Sequence, residues 1–191
     1  MRDAAGRSRR AMLGGALALA GGASLALAGC GGHGRTGAHS VHKAPDAIQQ
    51  TDIALLARLL DLERRTVAAY TAGIPLLDRD QGKVAKQFLD LELQHTGELI
   101  SLIKAAGGKA LPRAAPFDLG HPRDATGVLV LLHSLEQAQI ALYLQTIPRL
   151  APGPVRAAAA TIVASDAQHL AVLRSLQGRP PMPSAFVTGS A

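Results

Sequence analysis

Phe88-Leu89-Asp90-Leu91-Glu92-Leu93-Gln94-His95-Thr96-Gly97-Glu98-Leu99-Ile100-Ser101-Leu102 is the stretch whose reading decides the fold. Phe88, Leu99 and Leu102 recur at helical spacing, so the segment reads as an amphipathic helix with one apolar stripe. Glu92 and His95 fall on that stripe. A spacing of i, i+3 puts both side chains on one face, and that face is the one meant for burial. An ionised group loses its hydration when buried, so an acid and an imidazole in such a stripe need a partner.

Working outward, three more stripes show the same interruption at mid-length. One runs Ile53, Leu56, Leu60, Glu63, Val67, Tyr70. A second runs Leu129, Leu132, Glu136, Ile140, Tyr143, Ile147. The third runs Val155, Ala159, Ile162, Asp166, His169, Leu173, Leu176. The pattern predicts helices over about 48–72, 82–106, 124–146 and 154–177. Gly73-Ile74-Pro75, Gly107-Gly108, Pro148 and Gly178 supply the stops, and Asp124 is an expected N-cap. No stretch reads as a strand. Two short connections around one long, Pro-containing crossover (109–123) predict an all-α four-helix bundle of two helical hairpins.

The hairpins also repeat one another. Leu62-Glu63, Val67, Tyr70, Ile74-Pro75 and Leu77 recur 73 residues on as Leu135-Glu136, Ile140, Tyr143, Ile147-Pro148 and Leu150. Chance amphipathicity supplies leucines but not matching Glu, Tyr and Pro, so a pseudo-twofold relates the halves. Glu63, Glu92, His95, Glu136, Asp166 and His169 then meet at one level. Four carboxylates and two imidazoles suit a pair of divalent first-row metal ions: iron, with manganese or zinc as alternatives. Glu98 and His133, one turn away, are candidates for hydrogen bonds to these ligands or for plain exposure. Tyr70 and Tyr143 are expected to pack in the core with a hydroxyl partner.

The N-terminal segment is read apart from the fold. Arg2, Arg7, Arg9 and Arg10 precede an apolar run, 11–28, that ends in Leu27-Ala28-Gly29-Cys30. That ending reads as a bacterial lipobox, and Cys30 is the only cysteine. The expectation is a signal segment over 1–29, lipid on Cys30, a flexible tether over 30–46, and the bundle with a Pro-rich tail over 47–191. Ser8-Arg9-Arg10-Ala11-Met12-Leu13 resembles a twin-arginine export signal. The protein is therefore expected outside the cytoplasm, anchored to a bacterial cell membrane through Cys30, the periplasm being one such location. No thiol remains for a disulfide, so packing must hold the bundle. Beyond residue 29, sixteen basic residues face thirteen acidic ones. That net +3, without Trp, is no nucleic-acid signature.

With these motifs in place, the chain resembles the ferritin-like superfamily over about 50–187, most closely the extracytoplasmic, desiccation-related ferritin-like domain type. The resemblance implies a di-iron centre in which Glu92 and Asp166 bridge, while Glu63, Glu136, His95 and His169 are terminal ligands. It departs from the family at Asp166, where Glu is usual; the acid is one methylene shorter, which puts the dinuclear site in question. The implied activities are di-iron oxidase or peroxidase-like chemistry and iron sequestration. A metal-free structural or stress-protective bundle is the alternative. A lipid on every subunit would hinder a closed storage shell, whereas a homodimer is compatible with the reading.

Overall fold

The computed structural model describes residues 47–110, 112 and 115–189. Cys30, the Arg9-Arg10 pair and the 30–46 tether, on which the expected export and anchoring rest, lie outside the described residues. Among the described residues there are four long helices and no strand: α1 Gln50–Gly73, α2 Arg79–Ala105, α3 Ala125–Thr146 and α4 Gly153–Leu176.

The ends follow from local chemistry. α1 and α3 each run into Ile-Pro and finish in a single 3₁₀ turn, Ile74–Leu76 and Ile147–Arg149. Proline has no N–H to continue the ladder, so the duplicated dipeptide ends the first helix of both hairpins alike. The Asp124 carboxylate accepts from the Gly127 N–H at 2.8 Å, the expected N-cap of α3. α2 begins earlier than the predicted Gly82. Asp78 accepts from the N–H groups of Asp80 (2.9 Å) and Gln81 (2.8 Å), and the Gln81 side chain returns to the Asp78 N–H. This reciprocal capping carries the helix start back to Arg79, and Gly82 is buried inside it.

α1 packs against α2 and α3, and α4 against α3 and α2, which closes a square around one core. Two apolar clusters fill it. One gathers Leu56, Leu59 and Leu60 with Leu99, Ile103, Tyr143, Val155 and Ile162. The other gathers Ala69 and Tyr70 with Ala85, Val128, Leu132, Leu135 and Leu173. Each large aliphatic side chain so buried contributes about 1.5–3 kcal/mol, which is what offsets the entropy of ordering four helices. Along every helix, the stretch between the two clusters is where the acids and histidines fall. α3 with its following turn, Ala125–Arg149, is apolar enough to cross a membrane by length and composition, but half of that apolar window is buried within the bundle.

Candidate metal centre

Each helix delivers its polar residues to the same core level. Glu63 comes from α1, Glu92 and His95 from α2, Glu136 from α3, and Asp166 and His169 from α4. The four carboxylates are 0% exposed, His169 1% and His95 8%. His95 Nδ1 lies 3.8 Å from Glu63 Oε2, 3.6 Å from Glu92 Oε1 and 3.5 Å from Asp166 Oδ1. His169 Nδ1 lies 3.1 Å from Glu92 Oε1 and 3.3 Å from Glu136 Oε1. The two imidazoles stand 6.1 Å apart, centroid to centroid, and nearly parallel.

Two overlapping groups emerge. In one, donor atoms of Glu63, Glu92, His95 and Asp166 all lie within 4.8 Å of one another; in the other, those of Glu92, Glu136, Asp166 and His169 do. Glu92 and Asp166 belong to both. Donors sharing one ion at about 2.1 Å stand roughly 3–3.5 Å apart, so the spacings around the two Nδ1 atoms are close to what an ion requires. Glu63 Oε2, His95 Nδ1, Glu136 Oε2 and both Asp166 oxygens are buried without a hydrogen-bond partner. Unpartnered buried polar atoms are costly, and five of them converging on one level fit a cationic guest. The cluster can hold a metal ion.

The protonation pattern has physical causes. Burial, then the Glu136 and Glu92 charges, push Asp166 up to about 9. Burial pushes Glu136 up to about 7 against an opposing hydrogen bond from His169. Burial, then Glu92 and Asp166, hold Glu63 well above the carboxylate range. Glu92 is the exception: burial works against its charge, but the hydrogen bond from His169 and the nearby His95 imidazole outweigh it and hold the group below the usual range. Burial likewise opposes the His169 charge, yet its bonds to Glu136 and Glu92 push it up to about 10.

A second layer holds the acids in place. Tyr70 Oη donates to Glu136 Oε1 at 2.7 Å, and Tyr143 Oη donates to Glu63 Oε1 at 2.6 Å. These are the same interaction exchanged by the pseudo-twofold, each tyrosine reaching from one hairpin to the glutamate of the other. Burial, then the Glu136 and Glu63 charges respectively, raise both phenols well above their ordinary values, so they remain donors. Of the other two candidates, Glu98 takes the exposed alternative and His133 is corrected. Glu98 is on the solvent face, three residues beyond His95 and off the buried stripe. His133 is buried, but its Nε2 faces Arg179 Nη1 at 3.3 Å, in the layer that ties the tail to α3.

Thr66 and Gln139 escape the sequence reading. Thr66 Oγ1 donates to Gln139 Oε1 at 2.8 Å, and Gln139 Nε2 donates to Glu92 Oε2 at 3.0 Å, all within the core. They stand three residues after Glu63 and Glu136, where α2 and α4 carry histidine. Every helix therefore bears an acid followed by an inward polar residue at i+3. The repeat offset of 73 relates Thr66 to Gln139 and was the available signal. Phe88, read as plain core, stacks on His169 at 4.1 Å.

A profile of the ferritin-like domain matches residues 51–179. No curated protein matches the chain. Among solved structures it is similar to a conserved hypothetical protein, rv2844, from Mycobacterium tuberculosis. The two are 19% identical with a TM-score of 0.63, over 70% of this chain and 94% of that one, a likeness of fold.

Proposed function

Because the chain belongs to the ferritin-like domain family, we propose that its core cluster holds two divalent metal ions, iron foremost, for oxygen or peroxide chemistry or for iron handling. One observation carries the reading: five unpartnered buried donor atoms converge at a single level of the core. Glu92 and Asp166 would be shared, Glu63 and His95 would complete one position, and Glu136 and His169 the other. A pair of iron(II) ions so held supplies reducing equivalents to oxygen or peroxide. The chain does the rest. Its two apolar clusters shut out bulk water above and below the polar level. Tyr70 and Tyr143 keep one oxygen each of Glu136 and Glu63 engaged, leaving the other free. Asp166 and His169 give up protons on loading, so uptake is proton-coupled.

The test is metal content. The purified protein is expected to bind two iron(II) ions per chain; failure to bind any after chelation and reloading would sink the reading. The metal-free structural bundle then stands, favoured by His169, which already sits between Glu92 and Glu136 in ion-pair geometry.

Export and anchoring belong to the same proposal and rest on Leu27-Ala28-Gly29-Cys30. The protein is expected in the membrane fraction, with Cys30→Ala abolishing lipid labelling. A Cys30→Ala protein labelled as efficiently as the unmutated one rules the anchor out. Replacing Arg9 and Arg10 together by Lys is expected to leave precursor in the cytoplasm.

A further inference from the structure

We propose that Gln139, held by Thr66, is the positioning residue that fixes Glu92 so that one oxygen, Oε1, is offered to both ion positions. This rests on the metal reading above and deepens it. The duplication places Thr66 and Gln139 opposite each other, in contact at 2.8 Å. Only the longer of the two can reach onward to a ligand, and Gln139 does so, at 3.0 Å from Glu92 Oε2.

The amide's direction is set by its neighbours. A glutamine offers one acceptor and two donors at its tip. With the Thr66 hydroxyl given to Oε1, the NH₂ points to Glu92; the flipped amide would set two oxygens against each other. The single Thr66 hydroxyl proton goes to Gln139 at 2.8 Å rather than to the Leu62 carbonyl, one turn back and farther at 3.2 Å.

The consequence is an unequal pair of shared carboxylates. Glu92 Oε2 is engaged, while Oε1 faces His169 Nδ1 at 3.1 Å and His95 Nδ1 at 3.6 Å. Asp166 has no hydrogen bond on either oxygen, since threonine at 66 is too short to be the counterpart of Gln139. The second helices extend the asymmetry: Phe88 stacks on His169, whereas the equivalent position, 74 residues on, is Ile162. A symmetric duplication thus yields a site with one shared carboxylate held by an amide, Glu92, and one without such a hold, Asp166.

The experiment titrates the chelated full-length protein with cobalt(II) and follows its visible absorption. The unmutated chain is expected to take two ions. Gln139→Leu is expected to bind roughly 10- to 100-fold more weakly, the usual loss when a partner behind a metal ligand is removed, whatever the melting temperature of the chelated protein does. Thr66→Val, which leaves Gln139 in place but unheld, is expected to weaken binding in the same direction, and Thr66→Ser to restore it. An amide that serves packing alone would do otherwise: a lower melting temperature and unchanged cobalt affinity overturn the proposal. Should Gln139→Leu fail to fold, Thr66→Val decides, and unchanged affinity there overturns it equally. No cobalt uptake by the unmutated chain would overturn the metal reading and this one with it. Normal uptake with unmoved variants overturns this one alone.

Discussion

Asp166 is wholly buried, with neither oxygen in a hydrogen bond and its pKa pushed up to about 9 by burial and by Glu136 and Glu92. At neutral pH without metal it is therefore protonated, and asparagine is its near-isostere. Asp166→Asn is expected to change the stability of the chelated protein by no more than about 1 kcal/mol, because no charge is removed. The same change is expected to cut bound iron from two ions to at most one, since an amide is a poor ligand where both positions share a carboxylate. An Asp166→Asn protein that loads two ions at unmutated affinity would show that Asp166 is no ligand. At this scale the six cluster residues were legible because an acid or histidine in an apolar stripe violates a simple rule. Thr66 and Gln139 were not, because uncharged polar residues at helix positions draw no such notice; only the 73-residue repeat marked them. Glu98 and His133 stayed open between bonding a ligand and exposure because sequence proximity to a ligand does not specify the face. Three residues from a buried position can lie at the stripe's edge or beyond it.

Among the elements, the type and order of the four helices followed from the 3.6-residue period, while their ends depended on individual side chains. Glycine at 82 reads as a boundary, but the reciprocal bonds of Asp78 and Gln81 override it. Asp78→Ala is expected to cost about 1 kcal/mol. For a domain of this size that corresponds to a fall of roughly 2–4 °C in melting temperature, and no fall would mean the cap is idle. Metal content should be unaffected, since the cluster lies more than three turns along α2. Asp52 shows the same lesson at α1. It is buried and was not singled out, yet its carboxylate accepts from the Gln49 N–H at 2.7 Å and from the Ala151 N–H at 3.0 Å. One side chain thus caps the first helix and pins the link between the last two. Such long-range partners, 99 residues apart, leave no periodic trace.

At the level of the whole molecule, the duplicated hairpin made the topology legible, and the protonation of the shared core makes the metal reading testable by stability. In the chelated protein, Glu136, Asp166 and His169 have folded pKa values of about 7, 9 and 10, each raised above its ordinary value. A raised folded pKa contributes stability that is fully present below the unfolded value and lost as pH rises through the folded one. These three groups therefore make the chelated bundle less stable as pH climbs from about 5 to about 10. Glu92 has the opposite sign, but its folded pKa is depressed, so its contribution is lost only in acid, below that window. Metal acts against this slope. Ligands bind ions in their deprotonated forms, so affinity increases as the protons become easier to remove. An ion bound only to the native state stabilises it in proportion to the logarithm of its concentration over its dissociation constant. The gap in melting temperature between iron(II)-loaded and chelated protein, measured anaerobically at fixed free metal, is thus expected to widen from pH 5.5 to pH 8.5. A gap that stays constant would mean that binding displaces no protons, and therefore that the ions sit somewhere other than this buried cluster.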